Sequence, residues 1–341
     1  MIAMRPVLIV GLVALLSGCA AIGYGPRTTV MMRTPAESNE AAKIKRVAVL
    51  PFEGSQGKDF AAEIQGELAG VKINDQPYFS VADRGMNDRI FAEIKLSQSG
   101  AMSKDQALRL GRLLGVKGLY TGTAGNLTSS SSSYQSARTT CNDTNGKLFS
   151  KCKNPVNTTV NCTRNLVTYS FAPRLIDAET GQVLYARTIA ETASSESCPD
   201  DITPAPTSAQ LAGQAKQQAL RSFVKDVAPT YQAVNIKLLD SAAGLDAQSQ
   251  AKLSQGLAFA VANRLDRSCE LWREIGGAQK SLALSYDLGV CAEADGDLDK
   301  ALQLYTQADR LLERPDDQVS AALARVKLAK HNAAKFAAQT R

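Results

Sequence analysis

Seven cysteines and a single histidine are the residues of this 341-residue chain whose chemistry depends most on where they lie. Six of the cysteines are internal, at positions 141, 152, 162, 198, 269 and 291. An even number of thiols in an exported chain points to three disulfides, for which many connectivities are open. Local pairing narrows them. Residues 166–176 (LVTYSFAPRLI) and 183–191 (VLYARTIAE) flank a turn signal from Asp177 to Gln182. If Asp177 faces Gln182, Cys162 falls opposite residue 197, one place from Cys198. A Cys162–Cys198 bridge is therefore expected, and Cys141–Cys152 is left to close a loop. A zinc site fits poorly, because no C-x2-C pair occurs and His331 is remote from the thiols.

The residues needed for catalysis do not assemble in the sequence. One histidine excludes ordinary His-based triads. The "GTAG" stretch at 122–125 lacks the spacing of a dinucleotide loop, and the five serines at 129–133 have no partner base. Asp177 and Glu179 sit in the expected turn. The chain reads as non-enzymatic, with no metal or cofactor. Its net charge of +6 is dispersed rather than clustered, which gives no support for nucleic-acid binding.

Cys19 stands apart. Arg5 precedes an apolar run from Val7 to Leu16, shorter than the ~20 residues that span a bilayer. Residues 1–18 read as a signal peptide. Leu16-Ser17-Gly18-Cys19 resembles a bacterial lipobox. The resemblance implies cleavage before Cys19 and diacylation of its thiol, each buried methylene contributing about 0.8 kcal/mol to membrane attachment. Ala20 after the cysteine resembles the pattern of lipoproteins sorted to the outer membrane. Residues 19–43 lack periodicity and read as a tether.

The elements that must position the internal cysteines follow. "KRVAVLP" (45–51) reads as a buried strand, and 58–70 as a helix with Phe60, Ile64 and Leu68 on one face. "PYFSVADR" (77–84) reads as a strand, and 85–95 as a helix carrying Met86, Ile90 and Ile94. Ser103 to Gln106 forms a capping box that opens another helix. "VKGLYTG" (116–122), the 166–191 hairpin and a helix over 208–227 complete the series. Together they predict an α/β domain over 44–240, a mixed sheet covered by helices. Residues 123–163, with N-x-[ST] triplets at Asn126, Asn142, Asn157 and Asn161, read as a soluble, cysteine-containing insertion of loop composition. Residues 199–208 read as a second loop.

From about residue 245 to 341 the pattern turns helical. "GLAFAVANRLDRSCELW" (256–272) recurs 33 residues on as "GVCAEADGDLDKALQLY" (289–305). Gly256 matches Gly289 and Trp272 matches Tyr305. This resembles the tetratricopeptide repeat, whose period is about 34 residues. The resemblance implies an all-α helical-repeat (TPR-like) C-terminal domain, with a last helix over 316–338 capping the stack. It also places Cys269 and Cys291 on neighbouring helices, so a Cys269–Cys291 bridge is implied, two reduced core cysteines being the alternative. Asn263, Arg264, Arg267 and Asp297 are the exposed residues nominated for partner contact.

"RVAVLPFE", "YFSVADRGMNDRIFAEIKLSQSG", "ALRLGRLLGVKGLYTGTAGN" and "RLIDAETGQVLYA" together resemble the curli-channel (CsgG-like) lipoprotein family. The layout is also similar to lipoproteins that activate penicillin-binding proteins, and to the N-terminal domain of TolB. The resemblance implies a non-enzymatic domain that binds other envelope proteins or copies of itself. The expected function is protein binding and assembly in envelope biogenesis or secretion, by an outer-membrane lipoprotein facing the periplasm. The alternative is a subunit of an oligomeric export channel, whose barrel hairpins would fall at about 126–163 and 192–208. A barrel strand needs ~9–11 residues with alternate ones apolar, and "LTSSSSSYQSA" lacks that face.

Overall fold

The computed structural model describes residues 25–83, 103–141, 155–276 and 281–341. Cys19, Cys152 and the helix expected over 85–95 lie outside the described residues. The described chain falls into two compact units, one of 32–232 with 328–341, the other of 25–31 with 233–327. The first carries the mixed sheet and the second the helical hairpins, so the fold is mixed α/β with a helical C-terminal region.

The α/β unit is built around β2 (Arg46–Val49). Val47 and Val49 face one core with Phe52, while Ala48 and Leu50 face another. Period-two alternation with apolar residues on both faces fits a strand covered on both sides. Its parallel neighbours are β5 (Ser80–Val81) and β6 (Gly118–Cys141). β7 (Pro155–Asp177) runs antiparallel to β6, and β8 (Val183–Ala186) and β9 (Ile189–Ser197) both pair with β7. A further two-stranded ladder joins β3 (Lys72–Ile73) to β4 (Gln76–Pro77). Among the described residues, the strand expected over 77–84 is thus two short pieces.

One face of the sheet is covered by α2 (Gly57–Gly70) and α4 (Ser208–Val227). Phe60, Ile64 and Leu68 of α2 are all buried, as their helical spacing requires. The Phe60 ring meets Phe52 at 5.1 Å and Phe171 at 5.0 Å, and Phe223 of α4 meets Tyr120 at 5.6 Å. The other face is covered by α3 (Lys104–Leu114), through Ala107 and Leu110. Ser103 and Gln106 cap α3 reciprocally, as do Thr207 and Gln210 on α4.

The described part of the expected tether, residues 25–43, carries regular structure. β1 (Arg27–Thr34) pairs with β10 (Thr230–Lys237), and α1 (Asn39–Lys43) buries Ala41 and Ala42. The partner of β1 lies some two hundred residues away in sequence, so local periodicity carried no sign of it.

In the second unit, α5 (Ala247–Val261) and α6 (Leu265–Ile275) form one antiparallel hairpin, and α7 (Leu282–Asp295) and α8 (Leu298–Asp309) another. A Cβ at Gly256 would come within 2.2 Å of Trp272 Nε1, and one at Gly289 within 2.6 Å of Tyr305 Cε1. The same close approach of helix backbone to aromatic ring therefore recurs in both hairpins. Tyr305 donates to buried Glu293 (2.7 Å), which also accepts from Arg325 at 2.9 and 2.8 Å. Burial works against the Arg325 charge, but Glu293 more than offsets it and raises the Arg325 pKa.

The last helix, α9 (Asp317–Thr340), was expected only to cap the repeats. Residues 328–341 instead belong to the α/β unit. There Phe336 joins the core 6.0 Å from the Tyr231 ring. Gln339 accepts from the Ala36 N–H (2.8 Å) and returns a bond to the Ala36 carbonyl (3.3 Å).

Candidate functional site

β6 and β7 stay paired far beyond the body of the sheet. Their register runs from Gly118↔Asp177 to Cys141↔Pro155, shifted once between Thr123 and Asn126. Residues 123–141 and 155–163 therefore continue two strands rather than forming loop. Serine usually marks turns. Here the serines are held by a register set in the buried half, where Leu119 faces Ile176, and carried outward through Ser129↔Val167 and Ser130↔Leu166. At 24 residues, β6 extends roughly 80 Å along its axis. One signal was present in the sequence: no Gly or Pro interrupts 126–141, so nothing breaks the strand.

The ribbon carries a polar network on one face. Tyr134 Oη donates to Glu196 (2.9 Å), and Arg164 Nε donates to the same carboxylate (2.8 Å). Arg138 donates to Asp200 through Nε (2.7 Å) and to Ser136 through Nη1 (2.7 Å). Thr168 and Thr192 hydroxyls meet at 2.7 Å. Hydrogen bonds from Arg164 and then Tyr134 hold the Glu196 carboxyl below the usual range, and Arg138 does the same for Asp200. Such exposed pairs contribute little stability, but they order side chains along the ladder.

The cysteines fix this arrangement. Cys162 and Cys198 are disulfide-bonded with Cα atoms 4.3 Å apart. The pairing is one residue off the simple turn register, for a local reason. Ile176 faces Val183, but Leu175 faces Tyr185, so a bulge skips Leu184. The shift puts Thr163 opposite Ser197 and brings Cys162 to Cys198. Cys141, at the far end of β6, is also disulfide-bonded, and its expected partner Cys152 lies outside the described residues. Cys269 of α6 is bonded to Cys291 of α7, Cα atoms 5.7 Å apart.

The ribbon has an open edge. β2 pairs with β6 only over Gly118–Tyr120, and a bridge from Glu53 reaches Thr123, with Ala124 N–H bonded to the Glu53 carbonyl. From Gly125 to Cys141, among the described residues, β6 has no neighbour except β7. Pro is absent from this stretch, and Arg138 is its only charge. Natural sheets usually blunt a long edge with proline, lysine or a covering element.

The four nominated contact residues lie at the turns and ends of the helical hairpins, where each has a local role. Asn263 takes a left-handed conformation (φ 60°) in the α5–α6 turn, matching Gly296 (φ 81°) in the α7–α8 turn. Arg264 pairs with Asp266 at 2.9 Å, and Arg267 with Glu270 at 2.5 Å. Asp297 caps α8, accepting from Lys300 N–H at 3.1 Å. Cys198, Asp200 and Asp201 place possible ligand atoms within 4.8 Å of one another. They are ill suited to a cation, since the sulfur is in a disulfide and Arg138 already engages Asp200. Among the described residues no helix is long and apolar enough to cross a membrane.

No protein-family model matches the chain, and no curated protein matches it either. Among solved structures it is similar to the crystal structure of lipoprotein GNA1162 from Neisseria meningitidis. That similarity has 12% identity and a TM-score of 0.27, over 52% of this chain and 97% of the other.

Proposed function

We propose that the chain is a non-enzymatic, lipid-anchored protein of the outer membrane, facing the periplasm. Its ribbon receives an extended segment of another envelope protein during assembly or secretion. The observation that carries this reading is the open backbone edge from Gly125 to Cys141. Unpaired N–H and C=O groups on an exposed edge are a template for an added strand, with backbone bonds supplying affinity and neighbouring side chains selectivity. The anchor rests on Leu16-Ser17-Gly18-Cys19. The bridged cysteines suit an oxidising compartment. The test is a Ser131→Lys, Ser133→Lys variant, whose charges guard the edge while β6 and β7 stay paired. It should keep the thermal midpoint and lose co-purification of the partner. Full retention of the partner would remove the edge from the account.

A second reading, the subunit of an export channel, gains from the hairpin, since 126–163 contains strands. Among the described residues the ribbon shows no apolar band. One face of the ribbon alternates Ser129, Ser131, Ser133, Gln135 and Ala137, and the other holds Arg138, Arg164 and Glu196. A ladder of self-cross-links at ring size in intact cells would favour the channel. A single foreign protein would favour the adaptor.

A further inference from the structure

A second site lies away from the ribbon, in the α/β unit. We propose that the cleft between α2, α4 and the start of β10 binds a small ligand carrying an oxyanion, a carboxylate or a phosphate, on an apolar body. The cleft is open to solvent and offers about 640 Å³, within the ~300–1,000 Å³ usual for small-molecule sites. Three features converge on it.

The first is charge. Lys72, Arg221 and Lys225 line the cleft against one carboxylate, Glu67. Among the described residues none of the three cations meets a side-chain carboxylate, whereas Lys216, on the same helix as Arg221 and Lys225, pairs with Glu63 at 2.6 Å. Lys225 lies in the last turn of α4 and complements the helix dipole there. Arg221, one turn earlier, is not needed for that.

The second is an orphaned donor. Thr230 lines the same cleft, and its Oγ1 is buried without a hydrogen-bond partner. A buried hydroxyl without a partner costs about 1–3 kcal/mol, and an oxyanion seated beside it would remove that cost.

The third is space held open by the backbone. Gly66 and Gly70 lie four residues apart, on one face of α2, and both line the cleft. Glycine inside a helix costs about 1 kcal/mol against alanine. Gly57, at the start of the same helix, has a packing reason, since a Cβ there would lie 1.7 Å from the Phe52 carbonyl oxygen. Gly66, inside the helix, and Gly70, its last residue, have none: beyond the helix's own backbone no atom lies within 4 Å of a Cβ at either position, and neither takes a positive φ. A Cβ at either position meets open space at the cleft lining, so a large side chain there would compete with a ligand for it. Val71 and Val224 supply apolar wall, and Tyr231 is fixed by its bond to Asn74 Oδ1 (2.8 Å).

The full chain would be titrated calorimetrically with sn-glycerol 3-phosphate, with acetyl-Ala-Leu bearing a free carboxylate, and with the amide of the same dipeptide. Saturable binding of one anion at millimolar concentration or below is expected, and the anion that binds tells phosphate from carboxylate. The amide should fail to bind. Arg221→Gln with Lys225→Gln, and separately Gly66→Leu, should each weaken binding by about tenfold or more. Gly213→Ala, on α4 but outside the cleft, should leave binding unchanged. Should Gly66→Leu fail to fold, Gly70→Leu and the charge variant carry the test. Absence of saturable binding by both anions overturns the site. So does equal binding of the amide, or binding that survives both the charge and the filling variants.

Discussion

Asp287 is fully buried on α7, with Oδ1 accepting from the Leu239 N–H at 3.1 Å and Oδ2 without a partner. Burial pushes its pKa well above the usual carboxylate range, and the Leu239 bond offsets this only in part. The folded chain therefore holds this proton more tightly than the unfolded chain does. The contribution of this carboxyl to stability is greatest below the unfolded pKa of about 3.9 and is lost as pH rises toward the folded value. Asp287→Asn keeps the acceptor for Leu239 and carries no charge. Thermal denaturation between about pH 4 and 8 should show the variant melting above the native chain at neutral pH, with the gap closing toward pH 4. A gap independent of pH would mean that the Asp287 pKa does not change on folding, and would contradict this account. The cysteines belong to the same scale. Cys162 and Cys198 could be paired from the turn because a bridge tolerates a one-place error, and the bulge at Leu184 that closes the error has no sequence signature.

At the scale of elements, the two helical hairpins share one contact, glycine against aromatic ring. Gly256→Ala and Gly289→Ala each force a methyl group into a filled position and should cost about 1–3 kcal/mol in urea unfolding. Equal stability would mean that the rings yield. This contact was legible in the sequence, since Gly256 and Trp272 recur as Gly289 and Tyr305 at fixed spacing. So were α2, α3 and α4, from their apolar periodicity and, for α3, its capping box, which are local features. The ribbon was not. A serine run carries turn propensity, and its strand form is imposed by β7, whose own register is set in the core. β1 escaped notice for the same reason: its pairing is entirely non-local. The cleft was equally hidden, because Gly66 and Gly70 read as ordinary weak points of a helix until the space beside them is known.

At the scale of the molecule, the chain returns to its α/β unit at the end. Phe336, on the last helix, is 7% exposed and packs into the core with Tyr231, so residues 328–341 are part of that unit and not an appendage. Phe336→Ala should lower the stability of the α/β unit by about 3–5 kcal/mol, read by chemical denaturation with the Tyr signals of the sheet. A loss below about 1 kcal/mol would place the last helix outside the cooperative core.

The proposed function turns on one strand edge, and amide hydrogen exchange reads that edge residue by residue. Along β6 from Gly125 to Cys141, about half the N–H groups bond to β7 and the rest point outward. In the protein purified alone, the outward amides should exchange fast and the inward ones slowly. In the protein isolated with its envelope complex, the outward amides should slow by at least about tenfold while the inward ones change little. Unchanged fast exchange of the outward amides in the complex would contradict strand addition, and with it the assembly role assigned to the ribbon.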